Sequence, residues 1–113
     1  MKSLFILSTV VAVVLATLNV SGTYKSDFGN LKLQQTKNNV TGTYSYPYNG
    51  ETVNGSLKGV LKENTLTFTW EQKQGAGKSG GNGEFVFSKD GKSFKGNWED
   101  SKGQTGTWNG TKK

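Results

Sequence analysis

Hydrophobic and polar positions alternate one by one through most of this chain. The clearest case is Val40-Thr41-Gly42-Thr43-Tyr44-Ser45-Tyr46, with Val40, Gly42, Tyr44 and Tyr46 on one side and Thr41, Thr43 and Ser45 on the other. A period of two puts successive side chains on opposite faces, as in a strand with one face buried. The same period predicts strands over Val20 to Lys25, Leu31 to Gln35, Val40 to Tyr48 and Thr52 to Leu61. It predicts further strands over Thr65 to Trp70, Glu84 to Ser88, Ser93 to Trp98 and Thr105 to Thr111. No helical period is visible after the N-terminal stretch. Asn49-Gly50 and Asp90-Gly91 are strong hairpin signals, and Lys37-Asn38-Asn39 makes the corner before Val40, since asparagine tolerates positive φ. The stretch Gln74 to Asn82 is rich in Gly, Ser and Lys and has no periodicity, so it is predicted to be the longest loop.

The fold class these elements define is all-β: an antiparallel up-and-down meander of about eight strands. A flat sheet of that size leaves two open edges and one uncovered aromatic face, whereas closure into a small barrel removes both problems. Eight strands enclose an interior that side chains can fill or that holds one small ligand. The unit Gly-x-aromatic recurs at Gly22-Thr23-Tyr24, Gly42-Thr43-Tyr44, Gly96-Asn97-Trp98 and Gly106-Thr107-Trp108. Glycine on the inward face permits tight strand coiling, and a nearby ring can cover its bare backbone.

The first residues depart from this pattern. Lys2 precedes an apolar run from Leu4 to Leu15, and Val14-Leu15-Ala16 ends in small residues. That arrangement reads as a secretory signal peptide over residues 1–16, with a cut that can also fall several residues later. Residues 17–113 then form a single β-barrel domain, secreted to the extracellular space or to the periplasm in a bacterium. No stable membrane insertion is expected once the leader is removed.

Composition narrows the chemistry. The chain has 113 residues, 16 Gly, one Pro, no Cys and no His. All 14 basic residues are Lys; without Lys2, 13 Lys against 8 acids leave a net charge of +5. Lysines set singly beside turns serve strand edges, and without Arg there is no bidentate phosphate or base contact, so nucleic acid is not an expected partner. Missing His and Cys remove the imidazole base, the thiolate nucleophile and the usual zinc or copper ligands. No metal and no cofactor are expected. Glu71, Glu84, Glu99 and Asp100 are the carboxylates a glycosidase pair would draw on, but they sit at turns and strand edges. Asp90-Gly91 lacks the acidic spacing of a calcium loop. The chain is therefore expected not to be an enzyme.

Gly22-Thr23-Tyr24-Lys25-Ser26-Asp27-Phe28-Gly29-Asn30, followed by Val40-Thr41-Gly42-Thr43-Tyr44, resembles the first hairpin of the avidin–streptavidin family. That family opens with a Gly-x-Trp strand, a short polar turn and a second strand bearing Thr-Gly-Thr-Tyr, within secreted eight-stranded barrels that bind biotin. The chain is also similar to small secreted β domains rich in Gly-Thr-Trp. The resemblance implies a barrel and a ligand pocket. It places Ser26 and Asn30 where the family has polar partners for a ureido oxygen, Tyr44 as the matching hydroxyl, and Trp70 and Trp98 as apolar walls. Phe28 stands where the family has a smaller apolar residue.

Rings bury much area at low entropic cost and stack on sugars, lipids and heterocycles. The expected function is thus a non-enzymatic binding protein that holds a small molecule or carbohydrate through Ser26, Asn30, Tyr44, Tyr46, Trp70 and Trp98. Tyr46 and Tyr48, near the Asn49-Gly50 corner, are expected at a barrel mouth. The alternative is a structural or surface-interaction barrel whose core is solidly filled. A third reading uses the outward threonines (Thr41 and Thr43; Thr65, Thr67 and Thr69; Thr105 and Thr107) as a hydroxyl array for ice or glycan surfaces. Asn39-Val40-Thr41, Asn54-Gly55-Ser56, Asn109-Gly110-Thr111 and Asn19-Val20-Ser21 match the N-glycosylation pattern. Ligand identity and oligomeric state are left open.

Overall fold

Among the described residues nine strands follow one another: β1 (Gly22–Ser26), β2 (Gly29–Thr36), β3 (Asn39–Tyr48), β4 (Glu51–Lys62), β5 (Thr65–Gln74), β6 (Gly77–Phe87), β7 (Ser93–Asp100), β8 (Thr105–Thr107) and β9 (Gly110–Lys112). The computed structural model describes residues 18–113, and no helix occurs among them; the proposed leader lies outside the described residues. β1 through β7 pair antiparallel in sequence order, and β9 pairs with both β7 and β1. The sheet thereby closes into the expected barrel of eight strands, with β8 as a further short strand on β7.

The predicted last strand is present as two pieces. β8 and β9 keep a single register against β7, from Thr105 opposite Glu99 to Thr111 opposite Ser93. Between them the Trp108 N–H still donates to the Gly96 carbonyl at 2.9 Å. The Asn109 N–H turns away to the Asp27 carboxylate at 2.8 Å, and the Asp27 N–H returns a bond to the Asn109 carbonyl. The β1–β2 turn is thus tied to the final strand.

The expected loop from Gln74 to Asn82 is corrected. β5 runs on to Gln74, a two-residue turn at Gly75-Ala76 reverses the chain, and β6 begins at Gly77. The physical reason is that a ladder needs backbone groups and no hydrophobic alternation. Glycine is required here by close approach: a Cβ on Gly81 would meet the Glu99 carbonyl, and one on Gly83 would lie 2.7 Å from the Phe68 ring. The Lys37-Asn38-Asn39 corner is present, but its positive φ does not fall on an asparagine. In the two turns before Asn39 and before Thr65 it is Lys37 (φ 57°) and Glu63 (φ 57°) that take it. Asn49 and Gly50 both have positive φ, as the hairpin signal requires.

The interior face carries the alternation expected of it. Leu31, Leu33, Val40, Tyr44, Val53, Leu57, Leu61, Leu66, Phe68 and Trp70 are all buried. Rings cover glycines, but across the ladder and not within one Gly-x-aromatic unit. Tyr44 faces Gly55, Phe85 faces Gly96, and Trp98 faces Gly106 on the neighbouring strands. In each pair a Cβ on the glycine would collide with the opposing ring. Alternating bulk in this way lets the strands close on a packed core, since interiors reach crystal-like density.

One end of the barrel is stoppered. Val20, predicted as the first strand residue, precedes β1 and is fully buried under the barrel. Its N–H donates to Gln35 Oε1 at 2.8 Å, and Gln35 Nε2 donates to the carbonyls of Leu18 and Lys37. The Tyr24 hydroxyl lies 2.8 Å from the carbonyls of both Val20 and Gly91, which joins this segment to the β6–β7 turn. Burial raises the Tyr24 pKa to about 12. Any cavity must open at the other end.

Candidate functional site

The opposite end gathers the β1–β2, β3–β4, β5–β6 and β7–β8 turns, and below them lies an aromatic cup of about 110 Å³. Alternation along each strand places its walls. β3 sends Tyr44 and Tyr46 inward, β5 sends Trp70 and Gln72, and β7 sends Trp98. Trp108, in the break between β8 and β9, supplies another wall, and Phe28 leans in from the β1–β2 turn. Phe28 packs against Tyr46, Trp98 and Trp108 at centroid distances of 5.4, 6.3 and 5.2 Å. Trp70 and Trp98 meet edge to face at 6.1 Å.

Every charged side chain is absent from the lining, and the polar groups form a directed chain. The Tyr44 hydroxyl donates to Gln72 Oε1 at 2.8 Å, and Gln72 Nε2 donates to the Tyr46 hydroxyl at 3.3 Å. That leaves the Tyr46 O–H proton unassigned at the outer end. Trp98 Nε1 is buried without an acceptor, the one such side-chain atom among the described residues. Its ring edge lies against Gly106 of β8, so the donor the cup offers among its ring faces is the Tyr46 hydroxyl. Burial, then the neighbouring Tyr46, pushes the Tyr44 pKa well above its ordinary value, so its hydroxyl keeps its proton. The other indoles are satisfied: Trp70 Nε1 donates to the Asn82 carbonyl and Trp108 Nε1 to Ser26 Oγ.

Of the six residues singled out from sequence, Tyr44, Tyr46, Trp70 and Trp98 come together here, while Ser26 and Asn30 do not line the cup. Ser26 Oγ is engaged by its own turn, donating to the Gly29 carbonyl at 2.6 Å and accepting from the Phe28 N–H, and it also holds the Trp108 indole. Asn30 is exposed on the outer wall beside Thr23, Lys32 and Thr43. The three polar groups implied by the resemblance thus do not converge. Gln72 and Trp108 were not singled out as site residues. For Gln72 the signal was present, since the Trp70 alternation continues to Gln72 and Gln74.

The carboxylates lie elsewhere. Glu71 and Glu99 are exposed and Glu84 half-buried on the outer wall; register sets Thr69–Asn82–Glu99–Thr105 and Thr67–Glu84–Asn97–Thr107 across it. The threonine columns are therefore interleaved with acids and amides. Asp100 Oδ1 accepts from the N–H groups of Lys102 and Gln104 and caps the β7–β8 turn. Two larger hollows, each of about 450 Å³, are open grooves on the outer wall lined by polar side chains and backbone. They lack the convergence of rings found in the cup. No protein-family model, curated protein or solved structure matches the chain.

Proposed function

We propose that this is a non-enzymatic, secreted binding protein that takes a neutral, ring-bearing ligand into the aromatic cup. The observation that carries the reading is a cup walled by rings and free of charge, with the Tyr46 O–H at its outer end uncommitted. That O–H is the donor the cup presents to a ligand acceptor. A ligand with apolar faces and one or two acceptor oxygens at its edge fits this chemistry.

Size favours a small guest. At about 110 Å³ the cup is well below the roughly 300–1,000 Å³ of sites that enclose drug-sized molecules. One ring, or the end of a longer molecule, is what it accommodates. The same observation supports the second reading, a barrel filled for structural or surface-interaction purposes, because Trp108, Phe68 and Phe85 occupy the space below.

Tryptophan fluorescence and thermal shift across biotin, sugars, lipids and heterocycles decide between them. Trp70, Trp98 and Trp108 all line the cup, so an occupant should quench emission and raise Tm together. Ligand at a hundredfold its Kd stabilises by about 2.7 kcal/mol, a shift that is readily measured. A flat response across the whole panel would sink the cup reading and leave the filled barrel.

A further inference from the structure

The cup does not end at its rim. Tyr44, Tyr46 and Tyr48 are consecutive inward-facing positions on β3, and they pass from buried through half-buried to 56 % exposed. The Tyr44 and Tyr46 rings are parallel within 8°, with centroids 6.4 Å apart, close to the roughly 6.7 Å advance of two strand residues. Tyr48 continues that series at the lip. The residue directly opposite it is Glu51, whose exposed carboxylate lies on the same face beside the β5–β6 turn. Gln74 Nε2 donates to the Tyr48 carbonyl at 3.0 Å, which fixes the lip against β5. An exposed tyrosine at the tip of a hairpin is not required by the core, and Tyr48 is the most exposed large hydrophobic side chain among the described residues.

Resting on the cup reading, we propose that the natural ligand is the end of a neutral oligosaccharide, with its terminal ring in the cup and its next rings on Tyr46 and Tyr48. The chemistry is specific to that class. A sugar ring has apolar C–H faces and a polar edge, so it stacks on tyrosine while its oxygens meet donors and its hydroxyls meet acceptors. The donor inside is the Tyr46 hydroxyl, and an exposed carboxylate acceptor, Glu51, stands at the exit. A lone heterocycle would use the inner half of this arrangement and leave the Tyr48–Glu51 lip idle. A fatty acyl chain would leave that donor unpaired.

The test compares neutral mono-, di- and trisaccharides of glucose, mannose, xylose and N-acetylglucosamine by calorimetry, on the wild type and on Tyr48→Ala. Tyr48 is exposed, so this variant folds; its circular dichroism and Tm serve as the check. For one sugar the affinity is expected to rise about tenfold from two rings to three, the scale of one added stacking contact. Tyr48→Ala is expected to bring the trisaccharide back to the level of the disaccharide. Equal affinity for two rings and three, or a trisaccharide indifferent to Tyr48→Ala, would overturn the extended site while leaving the cup in place. Binding of a heterocycle or lipid with no response to any sugar would overturn the glycan class. Silence from every compound would remove the cup reading together with this one.

Discussion

Gly55 shows how much of this fold is decided by single missing atoms. It stands opposite Tyr44 in the β3–β4 ladder, and a Cβ added there would collide with the phenol ring, its hydroxyl included. That ring is held by its hydrogen bond to Gln72 and by edge-to-face packing on Trp108 at 4.9 Å, so it has nowhere to retreat. Overpacking a filled core costs typically 1–3 kcal/mol. Gly55→Ala is expected to lower stability by about that amount in urea denaturation and to weaken whatever the cup binds. An unchanged midpoint would mean that the Tyr44 ring swings aside freely. At this scale the sequence was most informative about the rings and least informative about amides. Tyr44, Tyr46, Trp70 and Trp98 declared themselves by alternation with polar neighbours. Gln72 occupies an inward position without being apolar, so a hydrophobic count passes over it. Ser26 and Asn30 were placed by resemblance alone, and local bonding decided otherwise: the turn uses the Ser26 hydroxyl, and pairing of Asn30 with Ser45 puts its side chain on the outer wall.

The strands themselves were legible wherever one face is buried, and illegible where neither is. The upper halves of β5 and β6 project beyond the filled interior, so Gly77 to Asn82 needs no apolar residues and reads as loop, although its ladder continues to the Gly75-Ala76 turn. Turns were only partly legible for a related reason. Asn49-Gly50 declares its geometry, but Glu63 adopts φ 57° with a side chain that gains nothing from it. A non-glycine residue in the left-handed region costs roughly 1 kcal/mol or more, held there by the register of the flanking strands. Glu63 is exposed, and its turn is closed by the Lys62–Thr65 pair at the end of the β4–β5 ladder. Glu63→Gly is therefore expected to stabilise the protein by up to about 1 kcal/mol, against the usual loss on introducing glycine. Thermal denaturation of the variant measures it, and a fall in Tm would show that the β4–β5 turn carries no strain.

At the scale of the whole molecule the barrel is asymmetric, sealed at one end and open at the other, and the seal has its own pH dependence. Val20 and Tyr24 are both fully buried there, and the Tyr24 hydroxyl bridges toward the Val20 and Gly91 carbonyls with edge-to-face contacts to Phe87 and Phe94. Ionisation would place a phenolate against two carbonyl oxygens in an apolar base, so burial raises the Tyr24 pKa from 10.0 to about 12. In the unfolded chain the proton leaves near 10, whereas the folded chain retains it until about 12. Between those values the unfolded state binds fewer protons, so stability, undiminished below about pH 10, must fall as pH rises toward 12. Tyr44 acts in the same sense, since its pKa is also raised, by burial and by Tyr46. Urea denaturation repeated in steps from neutral to alkaline pH should show a constant midpoint that then drops across this window. Tyr24→Phe should start lower, having lost the bridging hydroxyl, but decline less steeply over the same interval. A midpoint that stays level, or an equal slope in the variant, would mean that the base admits water and that the stopper does not seal the barrel.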